Sequence, residues 1–363
     1  MECEPIMELG YGEFSKRIHE KAAGKRIPIV GGIDLTSRCN LRCVHCYIEG
    51  TSLKEEHELT YEEVCHIFDQ IAEEGCLWLL ITGGEPLLRP DFPDIYRYAK
   101  RKGFIITLFT NGTMLTPQIA DLLKDEPPFR VEISLYGMTA TTYERVTGVP
   151  GSFRRCMRGI NLVLERKLPL ALKTVAMTLN KYEIHDMRKY AESVGVKFRF
   201  DPIINAGLDR TTDPLKVRLS PEDVVALELA DEQRANEWRE FCDSSSVVSG
   251  SDRIYTCGAG SYNFHITSTG DIAECIIARR TNYNILGGKF HQGFYETIPK
   301  VLAQKRTRYS ECMSCPIINL CGNCAAHGEL EHGDPEAKVE WLCEVGHLRA
   351  AAFKTDWSQV AKS

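Results

Sequence analysis

From about Pro28 to Ile204 the chain alternates short β-rich runs with amphipathic helical stretches, and few folds accept that order other than a parallel sheet covered by helices. The expected strands are Ile29 to Leu35, Leu77 to Thr82, Ile105 to Thr110, Val131 to Leu135, Leu170 to Val175 and Lys197 to Asp201. Between them, Tyr61 to Glu74, Asp91 to Arg101, Pro117 to Lys124, Phe153 to Arg166 and Ile184 to Val194 carry apolar residues three and four apart, as a buried helix face requires. Successive right-handed βαβ units curl such a sheet, so the pattern predicts an α/β fold, a partial (β/α)6 TIM-like barrel with ligands at the C-terminal strand ends. From Asn205 to about Tyr255 the pattern loosens. Asp213-Pro214 reads as a turn, Ser220 with Pro221, Glu222 and Asp223 as a helix start, and Ser244 to Ser251 as a polar linker.

Cysteine is the other unusual feature. Of fifteen, three fall within eight residues at Cys39, Cys43 and Cys46, and seven lie between Cys257 and Cys343. In a reducing cytosol such clustering points to metal more than to disulfides. Cys3, Cys65, Cys76, Cys156 and Cys242 stand alone, and Cys65 reads as a small buried hydrophobe on a helix. The stretch from Cys257 to Cys343, rich in Cys and Gly, predicts a small module held by metal rather than by a deep core. The expected division is an N-terminal extension (1–27), the barrel (28–205), a linker with bridging helices (206–256), a small Cys-rich domain (257–345) and a tail (346–363).

A net charge of −6 carries no basic excess, so neither nucleic acid nor a membrane is an expected partner. No apolar run reaches membrane-spanning length and Met1 to Gly10 lacks a signal-peptide pattern, so the expected location is cytoplasmic.

Cys39-x3-Cys43-x2-Cys46 directly follows the first expected strand. Three thiolates on one loop can wrap one face of a 4Fe-4S cubane and leave the fourth iron open, whereas zinc sites usually draw on two separated pairs. With this triplet the sequence resembles the radical S-adenosylmethionine superfamily, over Ile33 to Cys343. The resemblance implies that the open iron binds the amino and carboxylate groups of S-adenosylmethionine, and that electron transfer from the cluster cleaves it to a 5′-deoxyadenosyl radical. It also implies the cofactor contacts. Tyr47 is the aromatic residue after the triplet, and Gly83, Gly84, Glu85 and Pro86 look like the segment that binds the methionine amino group. Paired glycines suit this, since they let a backbone approach a ligand closely. Thr110 and Asn111 close the third strand and Ser134 the fourth, where a ribose or carboxylate would lie, and Arg145 resembles the arginine that reaches the cofactor carboxylate. Asn180, after the fifth strand, is read as a helix cap or a cofactor contact.

The later cysteines, Cys257, Cys275, Cys312-x2-Cys315-x5-Cys321-x2-Cys324 and Cys343, resemble the SPASM extension, which binds two auxiliary 4Fe-4S clusters in radical enzymes that modify peptides and proteins. One spacing departs: the family usually places three residues, not Gly322 and Asn323 alone, between the last two cysteines of the central run. The resemblance implies an outer cluster on Cys312, Cys315, Cys321 and Cys343 and an inner one on Cys257, Cys275 and Cys324, and the alternative partition swaps Cys324 with Cys343. Seven cysteines cannot fill eight iron positions, so one auxiliary iron is open unless a non-cysteine ligand or Cys242 fills it. A zinc knuckle is the competing reading of the two C-x2-C pairs, but it leaves Cys257, Cys275 and Cys343 unexplained.

The function this implies is maturation of a ribosomally made precursor peptide through a thioether or carbon–carbon cross-link. Other radical readings are a quinone-cofactor precursor, a tetrapyrrole or another small metabolite as substrate. A non-catalytic iron–sulfur or zinc scaffold is a further alternative. Formylglycine formation is disfavoured, because Ile276 and Ile277 follow Cys275 where sulfatase-maturing relatives carry an aspartate. Only about thirty residues precede the first strand, below normal domain size, so a separate small leader-binding protein is expected. So is an external electron donor of the flavodoxin or ferredoxin type. Lys173, Arg199 and Asp201 are candidate substrate contacts by strand alternation, and each is also read as a member of a buried ion pair, the favoured reading for Arg199 and Asp201.

Overall fold

The computed structural model describes residues 10–48, 57–244 and 251–353. Cys3 and most of the expected Ser244 to Ser251 linker lie outside the described residues. Strands β1 (Val30–Asp34), β2 (Trp78–Thr82), β3 (Ile105–Thr110), β4 (Arg130–Ser134), β5 (Leu170–Val175) and β6 (Lys197–Asp201) pair in parallel with their sequence neighbours. Helices α1 (Tyr11–Ala22), α2 (Tyr61–Glu73), α3 (Phe92–Arg101), α4 (Pro117–Asp125), α5 (Ala140–Thr147), α6 (Ser152–Glu165), α7 (Ile184–Ser193), α8 (Pro221–Ala230) and α9 (Glu232–Ser244) cover or flank this sheet.

Local chemistry sets several of these helix starts. Thr60 and Glu63 form a reciprocal capping box on α2, and Thr116 caps α4 ahead of Pro117. On one sheet face Ile33, Leu79, Ile81, Ile106, Leu108, Val131, Ile133 and Leu172 are buried against Ile67, Phe68, Ile95, Tyr96, Leu123, Ile160 and Val163 of the helices. Each such side chain contributes about 1.5–3 kcal/mol of burial free energy, so this face is where the fold is held. The alternate residues include Asp34, Glu132, Ser134, Lys173 and Arg199, which leaves the concave face polar. No helix among the described residues is long and apolar enough to cross a membrane.

The sheet does not end at β6. Three further strands, β7 (Asn263–Ile266), β8 (Asp271–Ala273) and β9 (Tyr283–Asn284), extend it to nine in the order β6-β5-β4-β3-β2-β1-β7-β8-β9, with β7 parallel to β1. Phe264, Ile266, Ile272, Phe290, Phe294 and Ile298 join the same apolar core as the barrel. The segment after Cys257 therefore shares the barrel's apolar core, where the sequence predicts a module without a deep core. Residues 346–353 likewise belong to a buried helix, Glu340–Phe353, rather than to a tail: the Arg349 guanidinium donates to both carboxylate oxygens of Glu228 on α8 at 2.8 and 2.9 Å. At the other end, α1 lies against the start of the strands, where Trp78 Nε1 donates to the Tyr11 hydroxyl at 3.0 Å.

Candidate metal and cofactor site

After β1 the chain passes through Thr36, Ser37 and Arg38 to Cys39, and two structures clamp this loop. On one side the Gly84 N–H donates to Thr36 O at 2.8 Å and the Glu85 N–H to Arg38 O at 2.9 Å. A Cβ on Gly83 would fall 2.3 Å from Thr36 O and one on Gly84 2.3 Å from Arg38 O, and Gly83 has φ +133°. The glycine pair thus lets two backbones meet, and the partner it approaches is the cysteine loop. On the other side the Arg42 and Val44 N–H groups donate to Thr147 O and Val146 O at the end of α5, at 2.9 and 3.0 Å.

Glu85 is fully buried and turned into the protein. Its carboxylate accepts from Thr110 Oγ1 at 2.6 Å, from the Asn111 N–H at 2.7 Å and from the Leu87 N–H at 3.2 Å. Burial pushes its pKa up to about 7, against the pull of those three donors. Its carboxylate therefore ties the loop after β2, including buried Pro86, to the end of β3. Asn111 in turn donates to Asn40 Oδ1 at 3.0 Å and lies 3.8 Å from Cys39 Sγ, and the Leu41 N–H lies 3.4 Å from the same sulfur. N–H groups at a thiolate stabilise its charge and tune any metal it binds.

The hydroxyl of Tyr136 lies within electrostatic reach of Cys39, Cys43 and Cys46 and is hydrogen-bonded to the Ser134 side chain. Burial, reinforced by Cys43, holds it well above an ordinary phenol. His45, between Cys43 and Cys46, meets the Tyr136 ring edge-on at 4.8 Å, and burial pushes it down to about 4, so it is neutral at pH 7. Neither Tyr136 nor His45 was singled out by sequence reasoning, although their positions, one inside the cysteine triplet and one just past β4, were the available signal. Asn180 donates to Tyr136 O and Val175 O at 3.3 and 3.0 Å and makes no side-chain helix cap, so it positions the strand exits. Arg145 is exposed in the last turn of α5, the helix whose final carbonyls hold the cysteine loop. The Tyr47 hydroxyl is raised by burial first and then by Asp34, and it also feels Arg279, Cys46 and Cys275. It therefore stands between the first cysteine set and the later ones.

The seven later cysteines separate into four and three. Cys312, Cys315, Cys321 and Cys343 line one small cavity with Ile317 and Lys338. Cys324 and Cys275 lie within electrostatic reach of each other and of Cys257. This is the first of the two partitions weighed from the sequence. Cys242 packs in another apolar cluster, with Val225, Ala235, Leu320 and Phe353, rather than with the set of three. His327 Nδ1 is 3.5 Å from Cys324 Sγ, and the Ala278 N–H is 3.3 Å from Cys275 Sγ. Among the described residues no three His, Cys, Asp or Glu side chains close around one point as the ligands of a single ion do. Sulfurs spread around a space suit cubanes, in which each thiolate binds a different iron, and an all-thiolate donor set fits that chemistry.

On the concave face Arg199 Nη2 donates to Glu132 Oε2 at 2.7 Å, and Lys173 Nζ sits 3.9 Å from the same oxygen, over the Phe109 ring. Burial holds Lys173 well below its usual pKa. Asp201 is exposed and accepts from the Ile203 N–H at 2.9 Å. Arg199 thus joins an ion pair as expected, with buried Glu132 two strands away, because the sheet curvature brings β4 and β6 side chains together, whereas Asp201 accepts from the backbone instead.

The Radical SAM superfamily model matches residues 33–194. The AdoMet-dependent heme synthase of Methanosarcina barkeri is 38% identical over 162 residues, 45% of this chain and 46% of that protein, so the matched stretch spans less than half of the relative's length. The antilisterial bacteriocin subtilosin biosynthesis protein AlbA of Bacillus subtilis is 27% identical over 314 residues, 83% of this chain and 68% of that protein. The crystal structure of Streptococcus suis SuiB bound to precursor peptide SuiA shares the fold, with a TM-score of 0.70 at 17% identity over 94% of this chain and 83% of that one. The family match opens inside β1 and closes just past α7, so it takes in the cysteine loop together with most of the sheet that carries it, and residues 33–194 form a radical SAM domain.

Proposed function

We propose that the protein is a radical SAM peptide maturase that joins parts of a ribosomally made precursor peptide through a thioether or carbon–carbon bond. The observation that carries this reading is the separation of the later cysteines into a set of four and a set of three around a sheet continuous with the barrel. AlbA, which aligns over most of this chain, and the SuiB complex with its precursor peptide support a peptide as substrate. The tetrapyrrole alternative keeps one observation in its favour, the higher identity to the heme synthase over a shorter stretch.

In this reading Cys39, Cys43 and Cys46 hold a 4Fe-4S cluster that, with S-adenosylmethionine, supplies a radical able to remove hydrogen from an unactivated C–H bond. Tyr47, Gly83, Gly84, Glu85, Pro86, Thr110, Asn111, Ser134 and Arg145 form the cofactor's surroundings, with Glu85 acting through the loops it ties. Cys312, Cys315, Cys321 and Cys343 hold an outer auxiliary cluster. Cys257, Cys275 and Cys324 hold an inner one with a position left for a substrate atom. Lys173 and Arg199 face the substrate from the concave wall. A separate leader-binding protein and a flavodoxin- or ferredoxin-type donor complete the system.

The test is anaerobic incubation of the loaded enzyme with reductant, S-adenosylmethionine and a candidate precursor. The expected result is 5′-deoxyadenosine together with a peptide that has lost two hydrogens. Iron near twelve atoms per chain supports three cubanes, whereas about four would remove the auxiliary pair. Failure to form 5′-deoxyadenosine would sink the whole reading.

A further inference from the structure

A cavity of about 550 Å³ opens at the C-terminal ends of β1 and β7, lined among others by Asp34, Thr36, Arg38, Thr267, Asp271 and Arg279. Its wall draws on the chain next to both cysteine regions. Thr36 and Arg38 lead directly into Cys39, and Arg279 lies four residues after Cys275. Asp34 and Arg279 on its wall belong to one group of side chains.

That group is a triad of buried Asp34 and His265 with partly exposed Arg279. Gly32 on β1 stands opposite His265 on β7, and a Cβ at Gly32 would fall 2.6 Å from His265 Nδ1, so the glycine makes room for the imidazole. His265 Nε2 then comes within 3.0 Å of Asp34 Oδ1, although the two are off line for a hydrogen bond and both atoms stay buried without one. The other Asp34 oxygen accepts from Arg279 Nη2 at 2.9 Å, and Arg279 Nε donates to Ile276 O at 3.1 Å. Burial opposes ionisation of Asp34, yet His265 and Arg279 hold its carboxyl below the usual range, so it is a carboxylate that fixes the guanidinium. A guanidinium carries five N–H donors, and two of Arg279's are spent. The rest have no partner among the described residues.

The other cavity charges are already paired. Arg38 Nη2 lies 2.8 Å from Glu58 Oε2, and Asp271 accepts from Thr269 Oγ1 at 2.7 Å and Asn284 Nδ2 at 3.1 Å. Among the described residues the lining holds three carboxylates, Asp34, Glu58 and Asp271, against two guanidinium groups, Arg38 and Arg279. Such a wall has open N–H donors but no positive excess, so it favours a neutral carbonyl acceptor over a carboxylate.

We infer that this cavity is the substrate chamber and that Arg279, aimed by Asp34 and Ile276 O, is a positioning residue that grips a neutral amide carbonyl of the peptide. The inference rests on the peptide reading above and names where and by what chemistry the peptide is held. It also sets a tetrapyrrole apart, because propionate carboxylates would meet the Asp34, Glu58 and Asp271 charges.

The test uses the cluster-loaded enzyme with S-adenosylmethionine and three probes: N-acetylglycine N-methylamide, acetate and glutarate. Saturation-transfer NMR should show the capped glycine binding and neither carboxylate. Arg279→Gln should weaken that binding about ten-fold, the loss of one charge-assisted hydrogen bond. Arg279→Lys, which keeps the charge but loses the fork, should weaken it less. The wild-type preference for amide over carboxylate is read without any variant, so a misfolded variant does not shelter the idea. Absence of capped-glycine binding, stronger glutarate binding, or equal binding by a folded Arg279→Gln protein would each overturn it. Probe binding through Arg279 with no precursor modified would leave the chamber standing and reject the maturase reading. A precursor processed equally well by wild type and Arg279→Gln would do the reverse.

Discussion

Cys321 and Cys324 are separated by two residues, yet their sulfurs belong to different sets, because Gly322 between them takes a left-handed φ of +67°. Cys321 ends the short helix Ile318–Cys321 and faces Cys312, Cys315 and Cys343, while Cys324 precedes the helix Ala325–His332 and faces Cys257 and Cys275. The shortened spacing is therefore accommodated by one reversal of backbone hand.

Gly322→Ala should loosen both sets. The added Cβ would meet only Ile203 Cδ1 at 3.6 Å, so the cost is backbone strain of about 1–2 kcal/mol rather than a clash. Iron content after reconstitution is expected to fall, and Gly322→Asn, which tolerates this region better, should retain more iron than Gly322→Ala.

Glu85 should imprint a pH dependence on stability. Its pKa rises from 4.5 to about 7 on folding, so the folded state holds a proton that the unfolded state has released between those values. Its contribution to stability is then fully present below pH 4.5 and lost as pH rises through about 7. Melting curves of wild type and Glu85→Gln across that window should show a steeper decline for the wild type, and parallel curves would exclude Glu85 as the source.

Asn111→Ala removes the amide beside Cys39 and its bond to Asn40 Oδ1, and leaves Thr113 without the acceptor Asn111 Oδ1. A stability loss of about 1–3 kcal/mol is expected from the broken buried network. The first cluster's reduction potential should move downward in an EPR-monitored titration, since one N–H near a thiolate is gone.

Arg349→Met should be strongly destabilising, by about 3 kcal/mol in denaturant titration, because it takes the two-pronged partner from Glu228, which is fully buried. Arg234, 3.2 Å away, is the only cation left to Glu228 among the described residues. The double variant Arg349→Met with Glu228→Gln should recover part of the loss.

Much of the barrel was legible in the linear chain. The limits expected for β3, β5 and β6 coincide with the observed ones, and those of the other three strands differ by one residue at one or both ends, because alternation and helix periodicity are local properties. Cysteine spacing likewise pointed to three ligands on one loop. What lay beyond the sequence depended on contacts between distant segments. β7 is four residues long and becomes a strand because β1 offers it a partner. Glu132 pairs with Arg199 through sheet curvature, and Glu85 faces inward because Thr110 and Asn111 arrive beside it. The cysteine partition follows the same division. The triplet at Cys39, Cys43 and Cys46 is set by neighbours in sequence, whereas Cys343 reaches Cys312 only because the helix Glu340–Phe353 packs back on α8, where burial of Arg349 with Glu228 fixes it. Spacing determines which thiolates can share a loop, and long-range packing decides which loops bring their thiolates together.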